Sequence, residues 1–181
     1  MTAVLPAAMA ATVWVVAVRS QQPAMGILNL SLPTLASGLF FALVQGSTGE
    51  EAGWRGFLQP IMEQKAGGVI KGSLLVGLVW SFWHTPLWFA TGLVGWTLAG
   101  YIATFIIGNL ALAVIIGVCY HRSKNLVVPM WVHFVSNAIA TPYAGDPMEG
   151  RVWLVLFYVL AAAGFVLWHE STSRKRLPLG A

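Results

Sequence analysis

Charged residues are scarce in this chain. Of its 181 residues, ten are Lys or Arg and six are Asp or Glu, together 9%, whereas 57% are apolar. Soluble globular domains carry about 25% charged residues, so a chain this poor in charge does not cover a water-facing surface. The shortage argues against a soluble enzyme, a disordered segment and a nucleic-acid-binding protein. It is typical of a polytopic membrane protein, as is the mean hydropathy of +0.74.

Three other features are missing from the sequence. Cys119 is the single cysteine, so neither an intrachain disulfide nor a cysteine zinc cluster is possible. No basic segment precedes the first apolar stretch, so we interpret residues 2–18 as a membrane span and not as a secretory signal. This span is short, and we expect the N-terminus of the chain to be truncated. No internal repeat or low-complexity linker divides the chain, which indicates a single domain over residues 1–181.

The sequence contains long runs without Asp, Glu, Lys or Arg. The longest, residues 72–121, is fifty residues long, and one bilayer crossing needs only about twenty. This run therefore predicts two spans joined by a turn, which Thr91, Gly92 and Gly95 mark. We predict an all-α transmembrane bundle of about six helices. They cover residues 2–18, 30–58, 71–91, 96–120, 126–141 and 152–169.

The basic residues predict how the bundle is oriented. If alternate loops lie on opposite sides of the membrane, one side holds eight Lys or Arg and the other holds Arg19 and Arg151. The eight are Arg55, Lys65, Lys71, Arg122, Lys124, Arg174, Lys175 and Arg176. Because the basic side is normally cytoplasmic, both termini are predicted in the cytoplasm, at the plasma membrane if the source is bacterial. The basic tail, about residues 170–181, is predicted to be mobile.

A few polar side chains interrupt these spans. They are Glu50, Glu51, Arg55, His84, His133 and Asn137. Ionisable groups within a membrane are costly and usually face a functional interior. Counted from the cytoplasmic helix ends at 1.5 Å per residue, Glu50, His84 and His133 lie about 15, 20 and 13 Å deep. We therefore predict that these three side chains and Asn137 meet in one buried pocket that opens toward the cytoplasm.

The residue types in this set suit the hydrolysis of an amide bond. A carboxylate in a low-dielectric site can act as a general base, so Glu50 with His84 would hold and activate a water molecule. His133 and Asn137, spaced i, i+4, would donate hydrogen bonds to the oxyanion that forms. Glu51 and Arg55 have the same spacing and can form an ion pair. That pair would anchor its segment and hold a substrate carboxylate or backbone.

Other readings of the same residues stay open. Glu50, His84 and His133 also form a catalytic zinc set with a fourth position for water, although the usual HExxH spacing is absent. Each site could instead be structural: a helix-end ion pair, a core histidine and an interhelical hydrogen bond. The chain would then be a non-catalytic membrane protein that binds a partner, as an immunity protein does. A proton-coupled transporter is a further alternative, which repeated halves would favour.

Three motifs in order resemble one known family. Residues 50–55 fit EExxxR, residues 80–84 fit FxxxH with Trp80 in place of Phe, and residues 133–137 fit HxxxN. Together they resemble the CPBP intramembrane proteases, which include CAAX prenyl endopeptidases of the Rce1 type and bacteriocin-processing relatives. The resemblance covers about residues 40–140. Since Trp and Phe are both large aromatics, we expect the change at Trp80 to be harmless.

The resemblance implies roles and partners for this chain. Glu50 and His84 would activate the water, and His133 and Asn137 would stabilise the oxyanion. The substrate would be a membrane-embedded or lipidated peptide or protein, such as a prenylated CAAX protein. No cofactor would be required, although the family was first classed as metalloproteases and Zn²⁺ stays possible. The chain is short for the family, so we expect additional N-terminal helices to be missing.

Overall fold

The computed structural model describes residues 3–174, and the regular elements in that range are helical. The α-helices are α1 (Val4–Ser20), α2 (Leu32–Phe41), α3 (Gly49–Gly53), α4 (Gln59–Ala66), α5 (Val69–Trp83), α6 (Thr85–Ala90), α7 (Gly95–Ser123), α8 (Val127–Ala140) and α9 (Pro147–Arg174). A 3₁₀ turn covers Ala24–Ile27, and an isolated antiparallel bridge joins Leu28 to Tyr143. The predicted all-α class is confirmed.

The three helices α2, α3 and α4 form one continuous helical run over residues 32–66. Two π-helical segments, Ala42–Thr48 and Trp54–Leu58, separate them. We call this run the segmented helix. The predicted end near residue 58, ahead of Pro60, is wrong. Pro60 instead lies inside the run, in α4 directly after the second π-helical segment, where a proline removes one backbone hydrogen bond without ending the helix.

The predicted span over residues 71–91 is broken in the structure. Helix α5 ends at Trp83, His84 adopts a non-helical backbone conformation, and α6 begins at Thr85. Pro86 stands in the first turn of α6. Because a proline ring disfavours a continuous helix through the residues before it, the Thr85-Pro86 sequence accounts for the break. His84 therefore lies at a helix junction, with its backbone less constrained than in a helix interior.

Helix α7 is the centre of the bundle. Its residues 111–119 are buried on every side, as expected of a helix segment that is apolar all round. Helices α5, α8 and α9 pack against α7, and α1 packs against α8 and α9. The turn predicted at Thr91, Gly92 and Gly95 is present before α7, and both glycines have positive φ angles, 72° and 59°. Such φ values favour residues without a side chain.

Two helices are individually suited to cross a bilayer by length and composition. They are Gly95–Ser123 and Pro147–Ser173, with mean hydropathies of 2.5 and 2.0. Three further apolar helices are shorter, 10–17 residues: α1, α5 and α8. A 15-residue helix measures about 22 Å, less than the roughly 30 Å of the hydrocarbon core. The count of six crossings stays a prediction.

The predicted basic tail lies partly outside the described residues. Helix α9 continues to Arg174, so the first residues assigned to the tail are helical. Lys175 and Arg176, which entered the orientation argument, fall outside residues 3–174, as does the rest of the tail and the predicted start of the first span at residue 2.

Close packing of α5 on α7 gives a first testable prediction. A Cβ atom added at Gly77 would lie 2.9 Å from the Cβ of Ala113 and 3.2 Å from the Cα of Leu110. Because one of these atoms belongs to the backbone, Gly77→Ala would force the two helices apart. We expect it to lower the free energy of unfolding by about 1–3 kcal/mol, the usual cost of overpacking, measured by denaturation in detergent.

Gly164→Ala in α9 is the matched control, since nothing lies within 4 Å of the Cβ it would add. It should leave stability unchanged or slightly raise it, because alanine favours a helix more than glycine does. Equal stability of the two variants would contradict the proposed α5–α7 contact.

Candidate active site

The segmented helix places two adjacent carboxylates in different surroundings. Glu50 and Glu51 stand in α3, between the two π-helical segments. In the first π segment the hydroxyl of Ser47 donates to the carbonyls of Ala42 and Leu43, both at 3.0 Å. The Thr48 hydroxyl donates to the Leu43 carbonyl at 2.6 Å. Hydroxyls that bond the backbone in this way compete with regular α-helical hydrogen bonds, and π segments are frequent at functional sites.

Glu51 is the centre of a fully buried ionic cluster. Its Oε1 accepts a hydrogen bond from Arg55 Nη1 at 2.7 Å and another from His133 Nδ1 at 2.8 Å. The side chains of Glu51 and Arg55 are 0% exposed. The ion pair predicted from the i, i+4 spacing is therefore present, and it also ties α8 to the segmented helix. The sequence had suggested that this pair holds a substrate carboxylate or backbone. Because both side chains are fully buried, neither can contact a substrate directly in this conformation.

Some hydrogen-bonding atoms of this cluster have no partner within residues 3–174. Glu51 Oε2, Arg55 Nε and Arg55 Nη2 are buried without a hydrogen-bond partner among the described residues. The guanidinium of Arg55 lies over the ring of Trp80, 5.1 Å from its centroid. An aromatic face attracts a cation and partly compensates for the missing hydrogen bonds.

Glu50 is held by two indole rings. Its Oε2 accepts from Trp54 Nε1 at 3.0 Å and from Trp80 Nε1 at 2.6 Å. No described residue hydrogen-bonds its other oxygen, Oε1, and the side chain is only half-buried. Glu50 thus presents a fixed carboxylate with one oxygen free to accept a proton from a bound molecule.

His84 is oriented by a backbone carbonyl. Its Nδ1 lies 2.8 Å from the carbonyl oxygen of Trp80. A carbonyl only accepts, so Nδ1 carries the proton and the neutral ring keeps Nε2 as an acceptor. The ring packs against Phe105, with centroids 5.3 Å apart, and against Trp80 at 6.0 Å. No direct hydrogen bond joins His84 to Glu50 within residues 3–174; Trp80 contacts both.

His133 and Asn137 meet at a glycine of the segmented helix. A Cβ atom on Gly46 would lie 2.5 Å from Asn137 Nδ2 and 3.5 Å from His133 Nε2. Only glycine therefore leaves room for both groups. Since His133 Nδ1 donates to Glu51, its Nε2 donates to an oxyanion only when the ring carries both protons. The Asn137 amide can donate whichever protonation state His133 adopts.

Trp80 is the residue that links these groups. It hydrogen-bonds Glu50, covers Arg55, and meets the His133 ring edge-on with centroids 5.0 Å apart. The sequence indicated only a large aromatic in the place of Phe. It could not reveal that the indole N–H reaches a carboxylate thirty residues away. The spacing of Trp54 four residues after Glu50 was a signal for the second indole contact.

The four side chains expected to share a pocket do not all line the cavity next to Asn137. A cavity of about 360 Å³ includes Asn137 in its lining, but not Glu50, His84 or His133. These three instead surround Trp80. Trp80 contacts all three of them, and one pocket shared by the four side chains stays a prediction.

The structure does not gather the candidate zinc ligands at one position. Glu50, His84 and His133 were the candidate zinc ligands. Within residues 3–174, no group of three or more His, Cys, Asp or Glu side chains is placed to hold a metal ion. The contacts of these side chains leave Glu50 Oε1 and one ring nitrogen of each histidine without a partner among the described residues, so what opposes a shared metal position is their placement around Trp80 and not their hydrogen bonding.

The fold and the site define an all-α membrane protein with a sealed Glu–Arg–His cluster beside a second, accessible carboxylate and histidine. The chain belongs to the type II CAAX prenyl endopeptidase Rce1-like family, whose model matches residues 31–139. It is 29% identical over 104 residues to the CAAX prenyl protease 2 of Methanococcus maripaludis. That match covers 55% of this chain and 38% of the archaeal protein, so the chain spans well under half of its relative.

The sealed cluster predicts a large stability effect. Glu51→Gln keeps the side-chain size but leaves Arg55 as a buried charge without a counter-ion. Breaking a buried pair on one side costs about 3–5 kcal/mol, so the variant should unfold at much lower denaturant concentration in detergent. Glu149→Gln is the matched control, because Glu149 pairs at 2.6 Å with an Arg19 side chain that is 62% exposed. An exposed pair contributes about 0–1 kcal/mol; a similar loss in both variants would refute the structural role of Glu51.

Proposed function

We propose that this chain is an intramembrane endopeptidase that hydrolyses a peptide bond of a membrane-associated substrate. The observation that carries the proposal is the placement of Glu50. Its carboxylate is fixed by two indole N–H groups, keeps one oxygen free, and shares Trp80 with both histidines. Membership of the Rce1-like family supports the reaction class. The name of the archaeal relative supports prenylated CAAX proteins as the substrate class to be tested.

In the proposed reaction, Glu50 and His84 activate a water molecule. Glu50 Oε1 and His84 Nε2 are the acceptors left free by the protein contacts. One of them takes a proton from the water as its oxygen attacks the carbonyl carbon of the scissile bond. The proton then passes to the departing nitrogen, so the products are a carboxylic acid and an amine. No covalent enzyme intermediate is needed.

Side chains of α8 would stabilise the negative charge that develops on the carbonyl oxygen. Asn137 Nδ2 donates to the oxyanion, and His133 Nε2 donates when its ring is doubly protonated. Preorganised donors of this kind typically contribute about 10²–10³ in rate. Glu51 and Arg55 would act indirectly. Glu51 Oε1, paired with Arg55, accepts a 2.8 Å hydrogen bond from His133 Nδ1 and so fixes the imidazole ring. They are positioning residues in this scheme.

Orientation completes the proposal. The excess of Lys and Arg on one side supports a topology with both termini in the cytoplasm, in which the substrate would approach the site from the cytoplasmic face. This topology is a proposal that rests on the basic residues alone.

The experiment that tests the function is peptide cleavage by protein in liposomes. Quenched fluorescent peptides with and without a prenyl group would be compared for the wild type, Glu50→Gln and His84→Ala. Loss of a general base costs about 10²–10⁴ in rate, and we expect a loss of that order in both variants. Glu149→Gln, which removes only an ion pair with the exposed Arg19, should retain activity. Addition of a chelator should change none of these rates.

Three results would overturn the proposal in different ways. Loss of cleavage on chelation, restored by Zn²⁺, would assign a metalloprotease. Full activity of Glu50→Gln would remove the carboxylate from the reaction. A biological function that survives in Glu50→Gln without any cleavage would favour a non-catalytic binding protein.

A second prediction concerns the indole of Trp80. Trp80→Phe keeps an aromatic side chain, although a smaller one, and removes the hydrogen bond to Glu50. Hydrogen bonds to charged groups contribute about 1.5–3 kcal/mol, so kcat should fall about tenfold or more while KM changes little. Trp83→Phe is the matched control on the same helix, since the Trp83 side chain is exposed. Equal kcat values for the two variants would mean that the indole N–H does not position Glu50.

A further inference from the structure

Helices α7 and α9 end around a pocket at the predicted cytoplasmic face, which we call the basic pocket. It has a volume of about 410 Å³ and is lined by His121, Arg122, Lys124, His169, Thr172 and Ser173. These side chains are basic or carry a hydroxyl, so all of them can donate a hydrogen bond. No carboxylate contributes to this lining in the part of the chain that the structure describes. The lining therefore favours a ligand with acceptor atoms and negative charge.

The positive charge of the basic pocket is not neutralised by the described residues. Neither Arg122 nor Lys124 forms an ion pair with a carboxylate among them. Glu63 is engaged by another group, because its Oε2 accepts a hydrogen bond from His121 Nδ1 at 2.9 Å. Glu170 is exposed and does not line the pocket. An anion that enters the pocket would therefore meet Arg122 and Lys124 without a competing carboxylate in the described lining.

Arg122 is fixed by two contacts that leave part of its guanidinium free. Its Nη2 donates to the Thr172 hydroxyl, and the guanidinium lies over the Trp168 ring, 3.7 Å from the centroid. Nη1 is accessible and hydrogen-bonds none of the described residues, and the buried Nε has no partner among them either. Unsatisfied buried donors are uncommon. Because the planar guanidinium is already oriented, it loses little entropy when it binds an anion.

The basic pocket lies at the depth of the lipid headgroups. The apolar helix Pro147–Ser173 has 27 residues, or about 40 Å at 1.5 Å per residue. The hydrocarbon core is only about 30 Å thick. The ends of this helix, and those of the 29-residue α7, therefore extend beyond the hydrocarbon into the region where lipid phosphates lie. In the proposed topology this is the cytoplasmic leaflet, which carries anionic lipids.

An apolar groove begins beside the basic pocket. It has a volume of about 410 Å³ and is lined by Val4, Ala161, Gly164, Phe165 and Trp168, from α1 and α9. Trp168 joins the two spaces, because its ring also lies against the Arg122 guanidinium. Nothing lies within 4 Å of a Cβ atom added at Gly164, so the groove is open at this position. A charged end and an apolar extension are the two parts of a phospholipid.

We propose that an anionic phospholipid binds here, with its phosphate in the basic pocket and one acyl chain in the apolar groove. This site is additional to the proposed peptidase activity and does not depend on it. Arg122 binds the phosphate oxygens through its free N–H groups, and Lys124 adds a point charge. Basic pockets between membrane helices on the cytoplasmic side bind anionic headgroups in this way. The bound lipid joins α1, α7 and α9 at one end of the bundle.

The charge of the basic pocket selects among phospholipids. Phosphatidylglycerol has a net negative charge, whereas phosphatidylcholine carries an ammonium group beside its phosphate. That ammonium would lie close to Arg122 and Lys124, and like charges placed together oppose binding. The site therefore predicts a preference for phosphatidylglycerol over phosphatidylcholine when the acyl chains are identical.

The first test is thermal unfolding of the protein in a neutral detergent, with dioleoyl phosphatidylglycerol or dioleoyl phosphatidylcholine added in increasing amounts. A ligand at about 100 times its Kd raises the unfolding temperature of a chain of this size by about 5–10 °C. We expect a rise of this order with phosphatidylglycerol and little or no rise with phosphatidylcholine. Equal rises with the two lipids would overturn the inference.

Variants of the basic pocket are compared with their own lipid-free unfolding temperatures. Arg122→Gln should weaken the apparent affinity for phosphatidylglycerol about tenfold or more, because it removes hydrogen bonds to a charged group. Lys124→Gln should weaken it less. Lys124 is exposed and its side chain bonds no described residue, so this variant tests the pocket even if Arg122→Gln fails to fold.

Lys71→Gln is the matched control for Lys124→Gln. Lys71 is an exposed basic residue assigned to the same side of the membrane, and it does not line the basic pocket. Its loss should leave the affinity for phosphatidylglycerol unchanged. Equal weakening by Lys71→Gln and Lys124→Gln would indicate a general effect of surface charge and contradict the proposed site.

A second pair of variants tests the apolar groove. Gly164→Leu places a side chain in the open space of the groove, and we expect it to weaken binding of phosphatidylglycerol about tenfold. Ala163→Leu is the matched control, because Ala163 is exposed on the same helix and outside the groove lining. It should bind the lipid like the wild type. Wild-type affinity in Gly164→Leu would show that no acyl chain occupies the groove.

Free phosphate carries the same chemistry as a lipid headgroup and is the other source of an anion. Unfolding is therefore also measured with inorganic phosphate and with glycerol 1-phosphate at the concentrations used for the lipid. We expect neither to raise the unfolding temperature, because they lack the acyl chain. A rise that equals that of the lipid and disappears in Arg122→Gln would assign the basic pocket to free phosphate and refute the lipid site. All these readouts are independent of peptide cleavage.

Discussion

One carboxylate oxygen holds this site together. Glu51 Oε1 accepts hydrogen bonds from Arg55 and His133 at once, in a place that neither water nor substrate reaches. A lone buried charge would be prohibitive there, so each member of the cluster requires the others. The cluster fixes the segmented helix against α8, and through that contact it sets where Asn137 and the remaining nitrogen of His133 lie. Burying these charges costs free energy unless each one is paired, so Glu51, Arg55 and His133 must keep their mutual hydrogen bonds.

The neighbouring carboxylate has the opposite character. Glu50 is half-buried, its partners are neutral indoles, and one of its oxygens is unbonded by the described residues. Adjacent positions on a helix point about 100° apart, and the π segments on both sides of α3 change that relation further. The two glutamates therefore divide the work: Glu51 maintains the fold, and Glu50 is available for chemistry. Trp80 connects the two, since it covers Arg55 and hydrogen-bonds Glu50.

Patterning predicts the helical class and the Glu51–Arg55 pair, because both depend on short-range spacing. It also predicts the turn at Gly92 and Gly95. It places the end of the segmented helix incorrectly and does not predict the break at His84, since Pro60 is tolerated inside a helical run whereas Pro86 interrupts a span. The hydrogen bonds from Trp80 to Glu50 and from Arg151 to Tyr101 join residues that are far apart in the sequence. No spacing rule predicts such contacts. The roles of Glu50, His84, His133 and Asn137 in a reaction stay predictions that the geometry makes specific.

The most direct test of this division of work is cleavage per folded molecule, measured together with unfolding for Glu50→Gln and Glu51→Gln. The account predicts that Glu50→Gln unfolds like the wild type yet loses cleavage by about 10²–10⁴. It predicts that Glu51→Gln loses stability first, and that its remaining folded fraction retains more activity than Glu50→Gln does. Equal stability of the two variants, or cleavage by folded Glu50→Gln at the wild-type rate, would contradict the account.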